Sequence, residues 1–348
     1  MIIGWCMAQL PSLTACSVID EDQSDCAPET QAKLDYELRL VTNMTTELKT
    51  ELTTQTDLQL ASALRQHLSG VFTDFAHDVN LSFYDTQGDS VLLQKDEHIM
   101  NANQASYTLN LPMRHYMHLA AANVVGNELV SVDGDDRCHR SMLLQVAGDT
   151  IDSHTTGLFT ARQPMEVLGN VSQSFNVHLY MANCAAALVV DTRGNVDERS
   201  LRVFSTGFAT SFSICDSLFR YADNPPIVRT ARVGLDASGG GESTEGIAAF
   251  CSVNFPSREP AGSTRTIIET TDPFIAQPGE EALWEFRVYA PQADGSVTET
   301  KLRIKEPLRA GQLKIIRCYV MPNGSVVTEA PEVSTSVTLD WKQGLVIE

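Results

Sequence analysis

The sequence predicts an all-β protein with a minor helical part, assembled from β-sandwiches. Three observations carry that expectation. Short segments in which apolar and polar residues alternate recur along most of the chain, and this is the period of a half-buried strand. Explicit turn signals separate them, among them Asn224-Pro225-Pro226, Ala293-Asp294-Gly295 and Pro322-Asn323-Gly324. Strand and helix patterns do not alternate, which disfavours a Rossmann fold or a βα-barrel. At 348 residues the chain has room for about two domains of ordinary size.

Residues 36–42 alternate and read as the first strand. Leu48, Leu52, Leu60, Leu64 and Leu68 recur at helical spacing, which predicts one helix or two short ones between 45 and 68, stopped at Gly70. Residues 79–84 alternate and close on the turn Asp85-Thr86-Gln87-Gly88, and residues 106–111 alternate up to Pro112. Residues 115–125 are mostly apolar, whereas 127–155 are polar. A second unit is expected from about 160–170, with a strand over 175–181. The apolar run 185–190 is either a strand or, because Ala favours helix, a helix. Further strands are predicted over 201–208, 227–233, 248–255, 283–290, 298–304, 313–320 and 333–341.

The chain is 43% apolar and 20% charged, the composition of a globular protein. Its net charge of −19, with no cluster of Lys and Arg, opposes nucleic acid as a partner. The same charge disfavours peripheral attachment to anionic lipid. No stretch after residue 16 approaches the ~20 apolar residues of a transmembrane helix.

The N-terminus is the most informative stretch. Leu13-Thr14-Ala15-Cys16 follows an apolar leader and has the pattern of a bacterial lipobox, in which the leader is cleaved and the new N-terminal Cys carries acyl chains. Residues 1–15 are then a lipoprotein signal peptide, too short to span a bilayer. The leader lacks the Lys or Arg that a signal peptide should have near its start, so either the start is misplaced and a basic n-region is missing, or this is not a leader. The alternative is an N-terminus without a leader and a chance match at Cys16. The acidic run after it, with Asp20, Glu21, Asp22 and Asp25, reads as a solvated linker. It also resembles the acidic stretch that some bacterial lipoproteins carry just after the lipidated Cys, a resemblance that implies a signal for export to the cell surface. The expected organisation is a lipidated acidic tether over 16–34, an N-terminal sandwich over 35–160 and a C-terminal sandwich over 161–348.

Eight cysteines are present, at 6, 16, 26, 138, 184, 215, 251 and 318, and none forms a CxxC pair, so zinc-ribbon and thioredoxin readings fail. Cys184, Cys251 and Cys318 sit in apolar or β-like runs and are expected as small core residues. Cys26 and Cys138 lie among polar residues and are the expected disulfide of an exported protein, although spacing does not fix connectivity.

Catalytic patterns are absent. His115 and His118 could share a metal on a helix, but on a strand residues three apart point to opposite faces, so two half-buried histidines are expected. Asp133-Gly134-Asp135-Asp136 lacks the order of a calcium loop and reads as a solvated acidic loop. The Gly-rich run 238–243 lacks the Lys-Ser/Thr of a phosphate loop and reads as a hairpin tip. No Gly-x-Ser-x-Gly is present, and no carboxylate pair is singled out. No enzyme activity, metal or cofactor is expected.

The lipobox ending at Cys16, the acidic run from Ile19 to Cys26 and the first strand over 35–41 resemble the start of the FimB-type fimbrial anchor lipoproteins of the type V pilus system. The stretch 177–190, and the end from Ala310-Gly311-Gln312-Leu313-Lys314 to Ser336-Val337-Thr338-Leu339-Asp340-Trp341-Lys342, are similar to the same family. The resemblance covers most of 13–342 and rests on structural motifs. It implies two tandem transthyretin-like β-sandwich domains, lipid attachment at Cys16 in the outer membrane, and a place at the base of a fimbria whose length the protein influences. It also implies fimbrial subunits as partners, joined by strand exchange, in which main-chain hydrogen bonds give affinity and side-chain pockets give register. The last predicted strand, with Val333, Val337, Leu339 and Trp341, is the candidate for pairing within the domain or with a partner. A competing reading is a surface lipoprotein adhesin for carbohydrate or protein, which exposed aromatic rings on one face would favour.

Overall fold

The computed structural model describes residues 31–41, 57–72, 76–86, 92–99, 106–133, 138, 141–169, 171–235, 245–260, 278–279, 282–330 and 333–341. In chain order the elements are β1 (Gln31–Val41), α1 (Asp57–Leu68), β2 (Val79–Asp85), β3 (Leu92–Ile99), β4 (Ser106–Pro112), β5 (His115–Ala122), β6 (Val130–Asp133), β7 (Met142–Gln145), β8 (Thr150–Asp152), β9 (Phe159–Glu166), β10 (Gln173–Met181), β11 (Cys184–Asp191), β12 (Arg202–Thr206), β13 (Ser211–Ser213), β14 (Leu218–Arg220), β15 (Ile227–Arg229), β16 (Ala231–Val233), β17 (Ile247–Asn254), β18 (Glu259–Pro260), β19 (Pro278–Gly279), β20 (Trp284–Pro291), β21 (Val297–Ile304), β22 (Leu313–Val320), β23 (Val326–Val327) and β24 (Val333–Trp341). The fold is therefore all-β, with α1 the single α-helix among the described residues.

The first unit is a seven-stranded sheet in the order β3-β2-β5-β9-β10-β1-β4. Alternation in β2 and β4 puts Val79, Leu81, Phe83, Leu109 and Leu111 inside. Leu60, Leu64 and Leu68, spaced four apart on α1, form one buried stripe against the same core. A helix of 12 residues is marginal by itself. Burial of these three leucines, worth about 1.5–3 kcal/mol each, holds it in place. β1 begins at Gln31, so residues 31–34, expected as tether, are already strand. It runs parallel to β10, from Leu34 opposite Gln173 to Val41 opposite Tyr180, and antiparallel to β4.

The second unit is a sandwich. A five-stranded sheet, β16-β17-β11-β22-β23, faces a six-stranded sheet, β24-β21-β20-β12-β15-β8. Leu188, Val190, Phe250 and Ile316 meet Trp284, Phe286, Val288 and Leu302 between them. The outer face of the five-stranded sheet is covered too, because Ala185, Ala187, Val189, Ala249 and Val253 join the core of the first unit. This decides the conformation of 185–190. The run is β11, buried on both faces, which is why its sequence is continuously apolar and its Ala residues do not signal a helix.

Two expectations about organisation are corrected. The boundary between 160 and 161 falls inside β9, whose partners β5 and β10 flank it in sequence, so the first sheet runs on to Met181. The polar stretch 127–155 holds three short strands, two of which cross to the later part of the chain: β7 pairs with β13, and β8 with β15, while β6 pairs with β7. The small sheet β14-β13-β7-β6 then covers the outer face of the first sheet, with Phe212, Phe219 and Leu143 packed on Tyr84, Leu119 and Ala121. β9 carries Pro164, which pairs with Met117 of β5, while β10 pairs with β9 only at Phe159 and Thr160. A residue without an N–H is tolerated where one side of the ladder is open.

Candidate functional site

β24 forms as predicted, from Val333 to Trp341, and lies at the edge of the six-stranded sheet. Its inner edge pairs antiparallel with β21, Val333 opposite Ile304 and Val337 opposite Thr300. No strand among the described residues pairs with its outer edge. Val333 packs against the sandwich core, whereas Val337 is 39% exposed. The register shifts between Val297 and Glu299, opposite the stretch that carries Leu339, and Trp341 stands opposite Val297. A bulge of this kind twists an edge and limits uncontrolled pairing.

Beside β24, the outer face of the sheet carries charge. Glu285 and Arg287 on β20 stand opposite Arg303 and Lys301 on β21, so all four side chains share one face. Arg287 Nε donates to Glu285 Oε1 at 2.7 Å, and Arg303 Nε lies 3.6 Å from Glu285 Oε2. With Lys305, Asp149 and the Asn224-Pro225-Pro226 turn they line a cavity of about 1040 Å³. Four cations against two carboxylates are conspicuous in a chain of net charge −19. Trp284 also borders this cavity, but its ring is buried against Phe208 and Phe286, and its Nε1 donates to the Glu306 carbonyl.

Cys138 is bonded to Cys215, with the two Cα atoms 5.7 Å apart, and not to the expected Cys26. The bond joins the β6–β7 connection to the β13–β14 connection within the small four-stranded sheet. Strand pairing brings those loops together although 77 residues separate them, which local polarity could not reveal. Cys184, Cys251 and Cys318 are free and buried, as their apolar surroundings predicted. Burial pushes the Cys251 thiol up to about 12, so it is held neutral.

His115 and His118 point to opposite faces of β5. His118 is buried, its ring stacked 4.3 Å from Phe83, and His115 is exposed with Nε2 3.7 Å from Glu166, so the expectation of two half-buried rings is replaced by one of each kind. A polar cluster that the sequence did not announce sits where β10 passes into β11. Asn183 Nδ2 donates to His154 Nδ1 at 2.8 Å, and Asn183 Oδ1 accepts from the Leu158 N–H at 2.5 Å. Its backbone C=O accepts from the Gly311 N–H, so one buried Asn ties three chain segments together. Cys16, Asp20, Glu21, Asp22, Asp25 and Cys26 lie outside the described residues, as do 134–136 of the acidic loop and the Gly-rich run 238–243.

No family model and no curated relative matches the chain. Solved structures do. A candidate adhesin from Bacteroides thetaiotaomicron superposes with a TM-score of 0.52 at 10% identity, over 90% of this chain and 99% of that one. A candidate polysaccharide-binding protein from the same organism gives 0.50 at 11%, over 86% and 99%. The fimbrial anchor protein Mfa2 from Porphyromonas gingivalis gives 0.47 at 10%, over 90% and 100%. At such identities the likeness to the two Bacteroides thetaiotaomicron proteins is one of fold alone.

Proposed function

We propose that this chain is a fimbria-associated surface lipoprotein. It holds a type V fimbria at the outer membrane through acyl chains on Cys16, influences fibre length, and meets fimbrial subunits along the outer edge of β24. The single observation that carries the reading is the edge strand. Only one side of β24 is paired among the described residues, and Val337 projects from it to solvent. A row of open main-chain groups beside an apolar side chain is a template for a partner's strand. The Cys138–Cys215 bond supports export, because disulfides persist in oxidising compartments. Asp20, Glu21, Asp22 and Asp25 would direct the lipidated chain to the outer face of the cell, and no enzymatic step is assigned to it.

The test is electron microscopy of cells and medium from a strain carrying Cys16→Ala, beside its parent. Fibres shed into the medium or grown abnormally long are the expected outcome. Normal fibres retained on the cell sink the anchor function. A second reading, an adhesin, is favoured by the cationic cavity beside Glu285, which would take an anionic ligand. Binding to uronate- or sialate-bearing glycans that is lost in Arg303→Ala would bring it forward. The described aromatic rings give it no support, since none is among the exposed large apolar side chains.

A further inference from the structure

Seven large apolar side chains are exposed among the described residues, and three of them, Met113, Leu168 and Val171, converge at one end of the first sheet. Met113 lies in the β4–β5 turn, and Leu168 and Val171 lie in the β9–β10 turn. The two turns are tied together by the Val167 N–H, which donates to the Arg114 carbonyl at 2.9 Å. A Cβ on Gly169 would collide with Met113 Sδ, so Met113 lies directly over the second turn. Gln173 braces that turn from below: its Oε1 accepts from the Leu168 N–H at 2.8 Å, and its Nε2 donates to the Glu166 carbonyl at 3.1 Å. The backbone is thus held while the apolar side chains face solvent.

The strand register shows what lies beside this tip. Gln31, the first residue of β1, stands opposite Pro112, next to Met113, and Leu34 stands opposite Gln173. The chain that leads back to Cys16 therefore joins the fold at the apolar tip. The opposite end of the same sheet, at Met181, passes into the second unit.

We infer that the tip formed by Met113, Leu168 and Val171 is a membrane-facing surface that inserts at the boundary of a lipid bilayer. The inference rests on the reading of Cys16 as the lipidated residue. Fifteen residues separate Cys16 from Gln31, a reach of at most about 50 Å, so a lipid on Cys16 keeps this end of the protein near the bilayer. Insertion here is apolar and does not need cationic residues, which suits a protein of net charge −19. Three modest side chains do not hold a protein on a membrane alone. They supply the second, weaker signal that orients a lipid-tethered body.

The test places a tryptophan at the tip. Leu168→Trp is made in the full chain, with Val125→Trp, at the other end of the first sheet, as control. The first arm uses the natively processed protein, with the mass of its N-terminal peptide measured. The second uses the full chain carrying Cys16→Ala and an N-terminal histidine tag, held on vesicles containing nickel-chelating lipid. Both arms use phosphatidylcholine vesicles with brominated acyl chains, and the fluorescence of the parent is subtracted. The expected result is several-fold stronger quenching at Leu168→Trp than at Val125→Trp in both arms. In the first arm, a variant with Met113→Ser, Leu168→Ser and Val171→Ser should lose several-fold in vesicle partition. Equal or absent quenching at the two sites overturns the inference. So does a soluble dimer that the serine variant converts to monomer, since a second copy would then cover the tip. An N-terminal peptide without acyl mass, together with quenching in the tagged arm, removes the reading of Cys16 and leaves the surface standing.

Discussion

Two buried imidazoles make acid the weak side of this fold. Burial alone lowers His154 to about 4, and His118 is lowered to about 4 by burial against the opposing hydrogen bond from Nδ1 to the Ser82 carbonyl. An unfolded His titrates near 6.5, so between about pH 6.5 and 4 the unfolded chain binds protons that the folded chain refuses. Stability is then full above about pH 6.5 and falls, by up to about 1.4 kcal/mol per pH unit for each site, until about pH 4. Urea midpoints taken across that window should show the slope. His118→Phe, which keeps a ring stacked on Phe83, should flatten one site's share, and an unchanged slope would exclude His118 as its source. A local pattern could place His118 on β5 but could not say which face of the strand was covered. His154 lies between β8 and β9, and only its meeting with Asn183 and Phe255 buries it.

At the level of elements, the small four-stranded sheet depends on its disulfide. β6, β7, β13 and β14 are three or four residues long, and they cover Tyr84, Leu119 and Ala121 with little ladder of their own. The bond spans 77 residues, for which chain entropy predicts about 4.5 kcal/mol, and removal of such bonds costs about 2–5 kcal/mol. Cys215→Ala should therefore lower the denaturant midpoint markedly and expose the Phe212–Phe219 pair, detectable as binding of a hydrophobic dye. A midpoint within error of the parent would show the sheet to be held by packing alone. β24 calls for the opposite kind of variant. Val337→Asp alters an exposed edge position, so stability should stay within about 0.5 kcal/mol. Binding of fimbrial subunits should weaken roughly tenfold or more, about 1.4 kcal/mol, as a charge on an open edge repels an added strand. Retained binding would move the contact away from β24.

Over the whole molecule, the path of the chain separates two ends. The chain from Cys16 joins the fold at Gln31, beside the Met113–Leu168 tip, and the far end of the same sheet leads into the sandwich that carries β24. The sequence by itself determined the all-β class, the α1 stripe of Leu60, Leu64 and Leu68, the strands β2, β4, β22 and β24, and the burial of Cys184, Cys251 and Cys318. Each of these is written in a local period or a local apolar run, which reports whether one face or both are covered. Only the tertiary structure decided the rest. It paired Cys138 with Cys215, placed β1 parallel to β10, made a strand of the Ala-rich β11 by covering both its faces, and drew β7 and β8 out of a polar stretch to stitch the two units. The physical reason is common to all four. A residue's local pattern records how much of it is buried, but not which distant segment buries it, and that choice is made when loops of many tens of residues close and the sheets pack.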